Sequence, residues 1–200
     1  MLNKDFLRKK YLNSRKKLTK KFVQEKSSKI IQKLLSLDQL REARVIAAYL
    51  PINNEVGTKA IINRLSSRKI KILLPCYLKD QHRYVFGEFL GWQDLEEGPY
   101  GILQPSPPVR LRSPKDDEGS VIDSSKVEVA IIPGVAFDRR GVRLGYGKGV
   151  YDRLLSKSNA LKIGLSYDFQ VLEKLPKEKH DLEIDILVTE ARILRSTKTS

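Results

Sequence analysis

The sequence predicts an α/β fold in which helices cover both faces of a mainly parallel sheet. Two observations carry this prediction: apolar strands alternate with amphipathic helices along the chain, and most of the strands are apolar through most of their length. Helices between strands form the crossovers that parallel strands need, and a strand buried on both faces shows no polar alternation. The length of 200 residues favours one domain with a sizeable core.

A first helix is predicted over 3–18, where Leu7 begins an apolar stripe with helical spacing. At about 100° per residue, Lys4, Arg8 and Arg15 fall on one face of this helix. Three cations on one face repel one another unless an anion lies against them. A solvated basic face has the same pattern, so the residues alone leave both interpretations open.

A second basic helix is predicted over 20–37, with Thr19 as its N-terminal cap. Residues 1–44 contain 14 Lys or Arg and 4 Asp or Glu, so they carry +10 of the net charge of +14. Such a basic end serves nucleic acid, a polyanionic ligand or solubility alone. We therefore keep a nucleic-acid-binding protein as an alternative function.

The composition predicts a cytoplasmic protein without a membrane segment. The one cysteine, Cys76, excludes an internal disulfide framework and fits a reducing compartment. No apolar run reaches the roughly 18 residues of a membrane helix. With two histidines in the chain, a His-rich metal site is not expected.

The next elements are a strand at 44–50, a helix at 56–67 and a strand at 69–74 closed by Pro75. Glu55 lies in the loop after the first of these strands, at the edge where open α/β sheets place ligand groups. Its carboxylate has an ordinary structural explanation as well, because a helix dipole favours an acidic residue in the first turn.

The remaining elements follow from weaker patterns. They are an edge strand at 84–90, an irregular segment at 94–108, an exposed loop at 105–125, strands at 127–132, 161–165 and 183–188, one helical turn at 168–172, and a frayed tail at 195–200.

The most informative segment is 134–152, GVAFDRRGVRLGYGKGVYD, between a buried strand and the opening of a helix. Glycines let successive backbone N–H groups converge on an anion, while a helix N-terminus and the interspersed Arg and Lys add positive charge. The segment therefore predicts a phosphate site, although a basic surface turn is an open alternative. At the helix start, Asp152 fits either a bridging Mg²⁺ or a helix cap.

The run RLGYGKGVYD from Arg143 to Asp152 resembles the nucleotide-binding signature of the 5-formyltetrahydrofolate cyclo-ligase family. Three further segments resemble the family in the same order: Lys4-x-x-Leu7-Arg8 followed by Arg15, LPINNEVGT at 50–58, and GPYGILQP at 98–105. The resemblance covers nearly the whole chain and implies a three-layer α/β/α sandwich similar to the ribose-5-phosphate isomerase and CoA-transferase group. Val150 departs from the aromatic that the family usually has.

This resemblance implies ATP-dependent closure of 5-formyltetrahydrofolate to 5,10-methenyltetrahydrofolate, with release of ADP and phosphate. Phosphorylation of the formyl oxygen makes it a leaving group, and nitrogen 10 then closes the ring. Such a site needs positioning, cations and a metal more than a protein nucleophile. The implied ligands are ATP as co-substrate, Mg²⁺, and 5-formyltetrahydrofolate, which could carry a polyglutamate tail; we expect a monomer.

The resemblance also implies roles for individual residues, although Tyr100 fits a tyrosine packed along a loop equally well. Asp185, flanked by aliphatic residues in a predicted strand, needs a partner, and the resemblance implies that Mg²⁺ is that partner. The implied catalytic residues are Arg143 and Lys148; the ATP-binding residues are Lys4, Arg8, Arg143, Leu144, Gly145, Tyr146, Gly147, Lys148, Gly149, Val150 and Tyr151; the substrate-binding residues are Leu50, Glu55, Tyr100, Tyr146, Gly147, Lys148, Gly149 and Val150; the metal ligands are Asp152 and Asp185.

Two other functions compete with the cyclo-ligase. A nucleic-acid-binding protein would use the basic helices, but the aromatic residues do not cluster with them and no nucleic-acid-binding motif is present. A sugar-phosphate isomerase or CoA-transferase would share the architecture and use a general base or a nucleophilic Glu without ATP. The glycine-rich basic segment and the N-terminal cations favour ATP.

Overall fold

The computed structural model describes residues 3–106, 123–178 and 181–197. The helices are α1 (Lys4–Lys16), α2 (Lys20–Leu35), α3 (Asp38–Glu42), α4 (Lys59–Ser66) and α5 (Val150–Leu154). The strands are β1 (Val45–Ala47), β2 (Lys71–Leu78), β3 (Arg83–Glu88), β4 (Leu95–Glu97), β5 (Leu103–Pro105), β6 (Val129–Pro133), β7 (Ala136–Asp138), β8 (Arg143–Leu144), β9 (Leu161–Leu165), β10 (Val171–Leu172), β11 (Ile186–Val188) and β12 (Ile193–Arg195).

The largest sheet has seven strands in the order β12-β11-β9-β6-β1-β2-β3. The five central strands pair in parallel, and β12 and β3 pair antiparallel at the two edges. The predicted α/β fold with a mainly parallel sheet is thus confirmed, and the edge strand predicted at 84–90 is present as β3. The grouping with ribose-5-phosphate isomerases stays a prediction.

Different elements bury the two faces of this sheet. Successive strand residues point to opposite faces, so Ile131 of β6 packs in the cluster that contains Ile30 of α2 and Ile61 of α4. Its neighbour Ile132 packs in a second cluster, with Phe137 of β7 and α5. The predicted three layers are present, but the second outer layer combines α5 with a small sheet, β10-β7-β8.

The helix α1 packs on this small sheet, in a third apolar cluster. Leu7 and Tyr11 of α1 are buried against Ala136 and Leu144, on the two strands that precede the glycine-rich segment, residues 145–149. The N-terminal helix and that segment, which are far apart in sequence, therefore lie together.

Strand β2 differs from its prediction because it continues through Pro75 to Leu78 and forms a hairpin with β3. The backbone of Leu73 faces β1, since its carbonyl accepts from Ala48, and Pro75 two residues later faces the same side. Because the register of β1 with β2 ends at Leu73, the missing N–H of proline leaves no ladder bond unmade there.

Four other predictions need correction. The irregular segment 94–108 contains the hairpin of β4 and β5, and the loop 134–152 contains the hairpin of β7 and β8. The helical turn at 168–172 is a 3₁₀ turn followed by β10. Arg195, assigned to a frayed tail, pairs with Ile186 as the last residue of β12.

Most of the loop predicted at 105–125 lies outside the described residues, as do residues 198–200 of the predicted tail. Among the helices that the structure describes, none is long and apolar enough to span a bilayer.

Candidate functional site

One large cavity, of about 1160 Å³, lies beyond the ends of β1 and β6 and beside Leu74 and Pro75 of β2. Its wall combines the start of α1, the loop after β1 and the glycine-rich segment. Fourteen of the predicted site residues line it: Lys4, Arg8, Leu50, Glu55, Arg143, Leu144, Gly145, Tyr146, Gly147, Lys148, Gly149, Val150, Tyr151 and Asp152.

The glycine-rich segment has the backbone that only glycine adopts easily at two positions. Gly147 has φ of 91° and Gly149 has φ of 61°, both in the left-handed region. Arg8 reaches this segment from α1, and its Nε donates to the carbonyl of Gly145 at 3.0 Å. Lys148 is exposed at the cavity, and no ion pair of its ammonium is found within the described residues. The following helix has five residues, so the charge here comes mainly from side chains.

Arg143 and Asp152 form an ion pair that is largely removed from water. Nη2 of Arg143 donates to Oδ2 of Asp152 at 2.9 Å, and Oδ1 accepts the backbone N–H of Leu182 at 2.9 Å. Burial opposes ionisation of Asp152, but Arg143 and the N–H of Leu182 outweigh it and lower the pKa of the carboxyl. Nε of Arg143 is buried without a hydrogen-bond partner in the described chain, and a donor in that state suits an anionic ligand.

Glu55 presents a buried carboxylate to the same cavity. Its Oε2 accepts the backbone N–H of Ile52 at 3.0 Å, and its Oε1 lies 3.7 Å from Nη1 of Arg15. Burial raises the pKa of Glu55 to about 7, against the opposing effect of the Arg15 guanidinium. Its pKa lies near neutral pH, and its Oε1 accepts no hydrogen bond that meets the usual distance and angle limits within the described residues, so this oxygen can accept one from a ligand.

Lys4 lines the cavity but is already paired. Its Nζ lies 2.7 Å from Asp181 and 2.9 Å from Glu178. Burial lowers the pKa of Lys4, yet the two carboxylates outweigh that effect and raise it. The pairing joins the start of α1 to the segment near residue 180, so the ammonium must leave or share these partners to contact a phosphate.

Arg15 does not join Lys4 and Arg8 at the cavity, although all three share a helical face. Its side chain is 1% exposed and is absent from the cavity wall. The sequence pattern predicted that Arg15 would pair with an anionic ligand. In the structure, its guanidinium instead bonds groups of the protein. Tyr84 of β3 and Asn53 also line the wall but were not among the predicted site residues. Asn53 lies in the same loop as Glu55, which was the signal in the sequence for it.

Asp185 is not brought to the cavity. It precedes β11, and its Oδ2 accepts the backbone N–H of Lys162 at 2.8 Å, at the start of β9 and away from the strand ends that form the site. The partner that this half-buried Asp requires is therefore a backbone amide, and we leave Asp185 out of the proposed metal site. Tyr100 lies in a 3₁₀ turn, Pro99–Gly101, but its side chain is outside the described part of the structure.

Sequence comparison decides the family. Residues 1–190 match the 5-formyltetrahydrofolate cyclo-ligase family. The chain belongs to this family. The resemblance expected from four short segments is thereby confirmed.

Individual cyclo-ligases and related structures agree. The Haemophilus influenzae 5-formyltetrahydrofolate cyclo-ligase is 32% identical over 164 residues, covering 80% of this chain and 83% of the relative. The Escherichia coli K12 enzyme of that name is 29% identical over 184 residues, covering 90% and 96%. The NMR structure of Aquifex aeolicus 5,10-methenyltetrahydrofolate synthetase aligns with a TM-score of 0.82 and 33% identity, covering 100% of this chain and 95% of that one.

The donor set fits one mode of Mg²⁺ binding. In the described ranges, no three His, Cys, Asp or Glu side chains cluster as a metal site. Mg²⁺ nevertheless binds commonly through one or two carboxylates together with substrate phosphates and water. Asp152 lines the cavity beside the cationic segment and supplies such a carboxylate.

Proposed function

We propose that this chain converts 5-formyltetrahydrofolate to 5,10-methenyltetrahydrofolate with hydrolysis of ATP to ADP and phosphate. The observation that carries the proposal is that one cavity is lined both by a cationic glycine-rich segment and by the buried carboxylate of Glu55. Cations and backbone donors suit a triphosphate, while an acceptor carboxylate suits the N–H-rich ring of a pterin. A volume of about 1160 Å³ is ample for two ligands.

In this reaction the formyl oxygen takes the γ-phosphoryl group of ATP, and ADP leaves. Nitrogen 10 then attacks the formyl carbon, loses its proton, and the phosphorylated oxygen departs as inorganic phosphate. Phosphoryl transfer depends on alignment and on stabilising the charge of the transferring group. The residues therefore act by binding and orienting rather than by forming a bond to substrate.

Each residue has a distinct part. Arg143, whose buried Nε lacks a partner in the described chain, and Lys148 donate to the phosphates. Arg8 holds the loop through Gly145, and Glu55 orients the pterin. Asp152 would hold Mg²⁺, which supplies positive charge to the phosphate oxygens when bound.

The finer sequence predictions belong to this proposal. We propose that Leu50, Tyr146 and Val150 contact the folate, because they line the cavity close in sequence to Glu55 or to the glycine-rich segment. A monomeric state, a cytoplasmic location and binding of a polyglutamate tail stay predictions from the sequence.

The test is the near-ultraviolet absorbance of the methenyl product in mixtures of protein, 5-formyltetrahydrofolate, ATP and Mg²⁺. We expect product that requires ATP and Mg²⁺ and forms with equal amounts of ADP. Folded protein that forms no product would overturn the proposal. Salt-sensitive binding of nucleic acid by that same protein would then favour the binding-protein alternative.

A further inference from the structure

Arg15 is a buried arginine whose side chain connects three separate segments. Nε donates to the carbonyl of Asn53 at 3.0 Å, and Nη1 donates to the carbonyl of Gly134 at 3.0 Å. Nη2 donates to the hydroxyl of Tyr146, and the guanidinium carbon lies 5.6 Å from the centre of that ring. The side chain thus joins the loop after β1, the end of β6 and the glycine-rich segment.

Two of the segments that Arg15 joins carry side chains of the folate site. Glu55 and Tyr146 line the cavity, whereas Arg15 does not. Asn54 adds a second connection, because its Nδ2 donates to the carbonyl of Arg15 itself at 2.9 Å. The last turn of α1 is therefore fixed to the Glu55 loop through both side-chain and backbone groups.

Arg15 also forms an ion pair with Glu55, at 3.7 Å, and both groups are at least nine-tenths buried. A buried carboxylate stays ionised only if a positive charge or donors compensate for the lost water. Several titratable groups interact electrostatically with Glu55. They are Arg15 of α1, Arg143 of β8, Tyr146 of the glycine-rich segment, Tyr151 of α5, Tyr49 after β1 and Tyr167 after β9. Of the two cations, Arg15 lowers the pKa of Glu55 more than Arg143 does.

We propose that Arg15 is a positioning residue for the folate, which acts from behind the cavity wall by favouring the ionised form of Glu55 and by fixing Tyr146 beside it. This inference rests on the proposed function, which assigns Glu55 to the folate. Arg15 does not line the cavity, so in this proposal it contacts neither substrate. Its loss should therefore affect folate binding, and the pH range in which folate binds, more than ATP binding.

Two variants separate the charge from the geometry. R15M removes the positive charge and the hydrogen bonds of Arg15. We therefore expect KM for 5-formyltetrahydrofolate to rise about tenfold or more, while KM for ATP changes less. The acid limb of kcat/KM for folate should move to higher pH, because each unit of rise in the pKa of Glu55 lowers its ionised fraction about tenfold below that pKa. R15K keeps a positive charge but loses the planar set of donors that bonds three segments. It should therefore raise KM for 5-formyltetrahydrofolate and leave the acid limb close to that of the wild type.

A matched control is R140M. Arg140 also bonds a buried carboxylate, that of Asp138, at 2.7 Å, but neither residue lines the cavity. Asp138 keeps the backbone N–H groups of Val142 and Leu175, so the fold should persist. We expect R140M to lower stability while KM and the acid limb stay as in the wild type.

The decisive measurement repeats R15M in an E55Q background across pH. With no carboxylate to titrate, R15M should no longer move the acid limb, whereas a purely structural role would act equally in both backgrounds. An unchanged KM for folate in R15M and R15K, or an equal pH effect in E55Q, would overturn the inference alone. If R15M does not fold, R15K with an unchanged KM overturns it. Wild-type protein that forms no product would overturn the proposed function and this inference with it.

Discussion

Lys148 combines exposure with a position on the cavity wall, so its charge is available to a ligand. We expect K148A to lower kcat/KM for ATP about a hundredfold, the order seen when one donor to a developing charge is removed. The melting temperature should not change, because the side chain packs against little. Steady-state kinetics with K157A, another exposed lysine outside the cavity wall, provides the control. Unchanged kinetics in K148A would remove Lys148 from the site.

Asp152 has both a structural and a proposed metal role, and the two respond to different measurements. D152N leaves the buried guanidinium of Arg143 without its charged partner, so we expect a loss of about 1–3 kcal/mol in the free energy of unfolding near neutral pH. The pKa of Asp152 is lowered in the folded protein, so its contribution is present above the ordinary value of 3.8 and is lost as the pH falls through the folded value. The stability difference from the wild type should accordingly shrink in acid.

The same variant should raise the Mg²⁺ concentration that gives half of the maximal rate, as measured in the product assay. D185N is the comparison, because Asp185 bonds the backbone N–H of Lys162 and does not line the cavity. We expect D185N to keep the Mg²⁺ dependence of the wild type. A similar rise in both variants would mean that Asp185 reaches the metal after all.

The glycine-rich segment depends on a backbone that other residues resist. Alanine at Gly147 would pay about 1–2 kcal/mol for the left-handed conformation, and its Cβ would lie 3.4 Å from Cζ of Arg8. We therefore expect G147A to lower the free energy of unfolding and to raise KM for ATP. G57A is the control, since Gly57 has no positive φ and its Cβ would meet Ser27 at an ordinary 3.5 Å. Wild-type kinetics in G147A would show that the phosphates do not need this turn.

Elements with strong patterns were predicted well, and those that depend on distant partners were not. The stripe of α1 and the apolar run of β6 are local signals, and both elements are present. The hairpin of β7 and β8 was missed because its strands are three and two residues long. Among glycines and arginines, strands this short show no recognisable apolar pattern. Arg15 was misjudged for a related reason: its partners Asn53, Gly134 and Tyr146 are 38 or more residues away.

At the level of the whole molecule, the sequence predicted well which residues lie around one cavity. It predicted less well which side chains bond one another. Fourteen predicted site residues from distant parts of the chain line one cavity. Parallel strands bring their C-terminal loops to one edge of the sheet, so that this convergence follows from topology. The pairing of Lys4 with Asp181 and of Asp185 with Lys162 follows instead from side-chain geometry, which spacing along the chain does not encode.

The distribution of charge over the molecule makes a further prediction about rates. The chain carries a net charge of +14, most of it in its first 44 residues, and both proposed substrates are anions. Long-range attraction of this kind is screened beyond about 10 Å at 0.1 M salt, so kcat/KM for both substrates should fall as ionic strength rises, while kcat changes little.

Replacing Lys9, Lys10 and Lys17 with Gln removes three exposed charges of α1 and its end without touching the cavity wall. We expect the triple variant to keep the wild-type kcat and to show a shallower dependence of kcat/KM on salt, as measured over a salt series at constant pH. An identical slope in both proteins would mean that the basic helix does not attract substrate. Its charge would then serve solubility or another partner, since Arg143 and Lys148, which we propose to bind the phosphates, are unchanged in this variant.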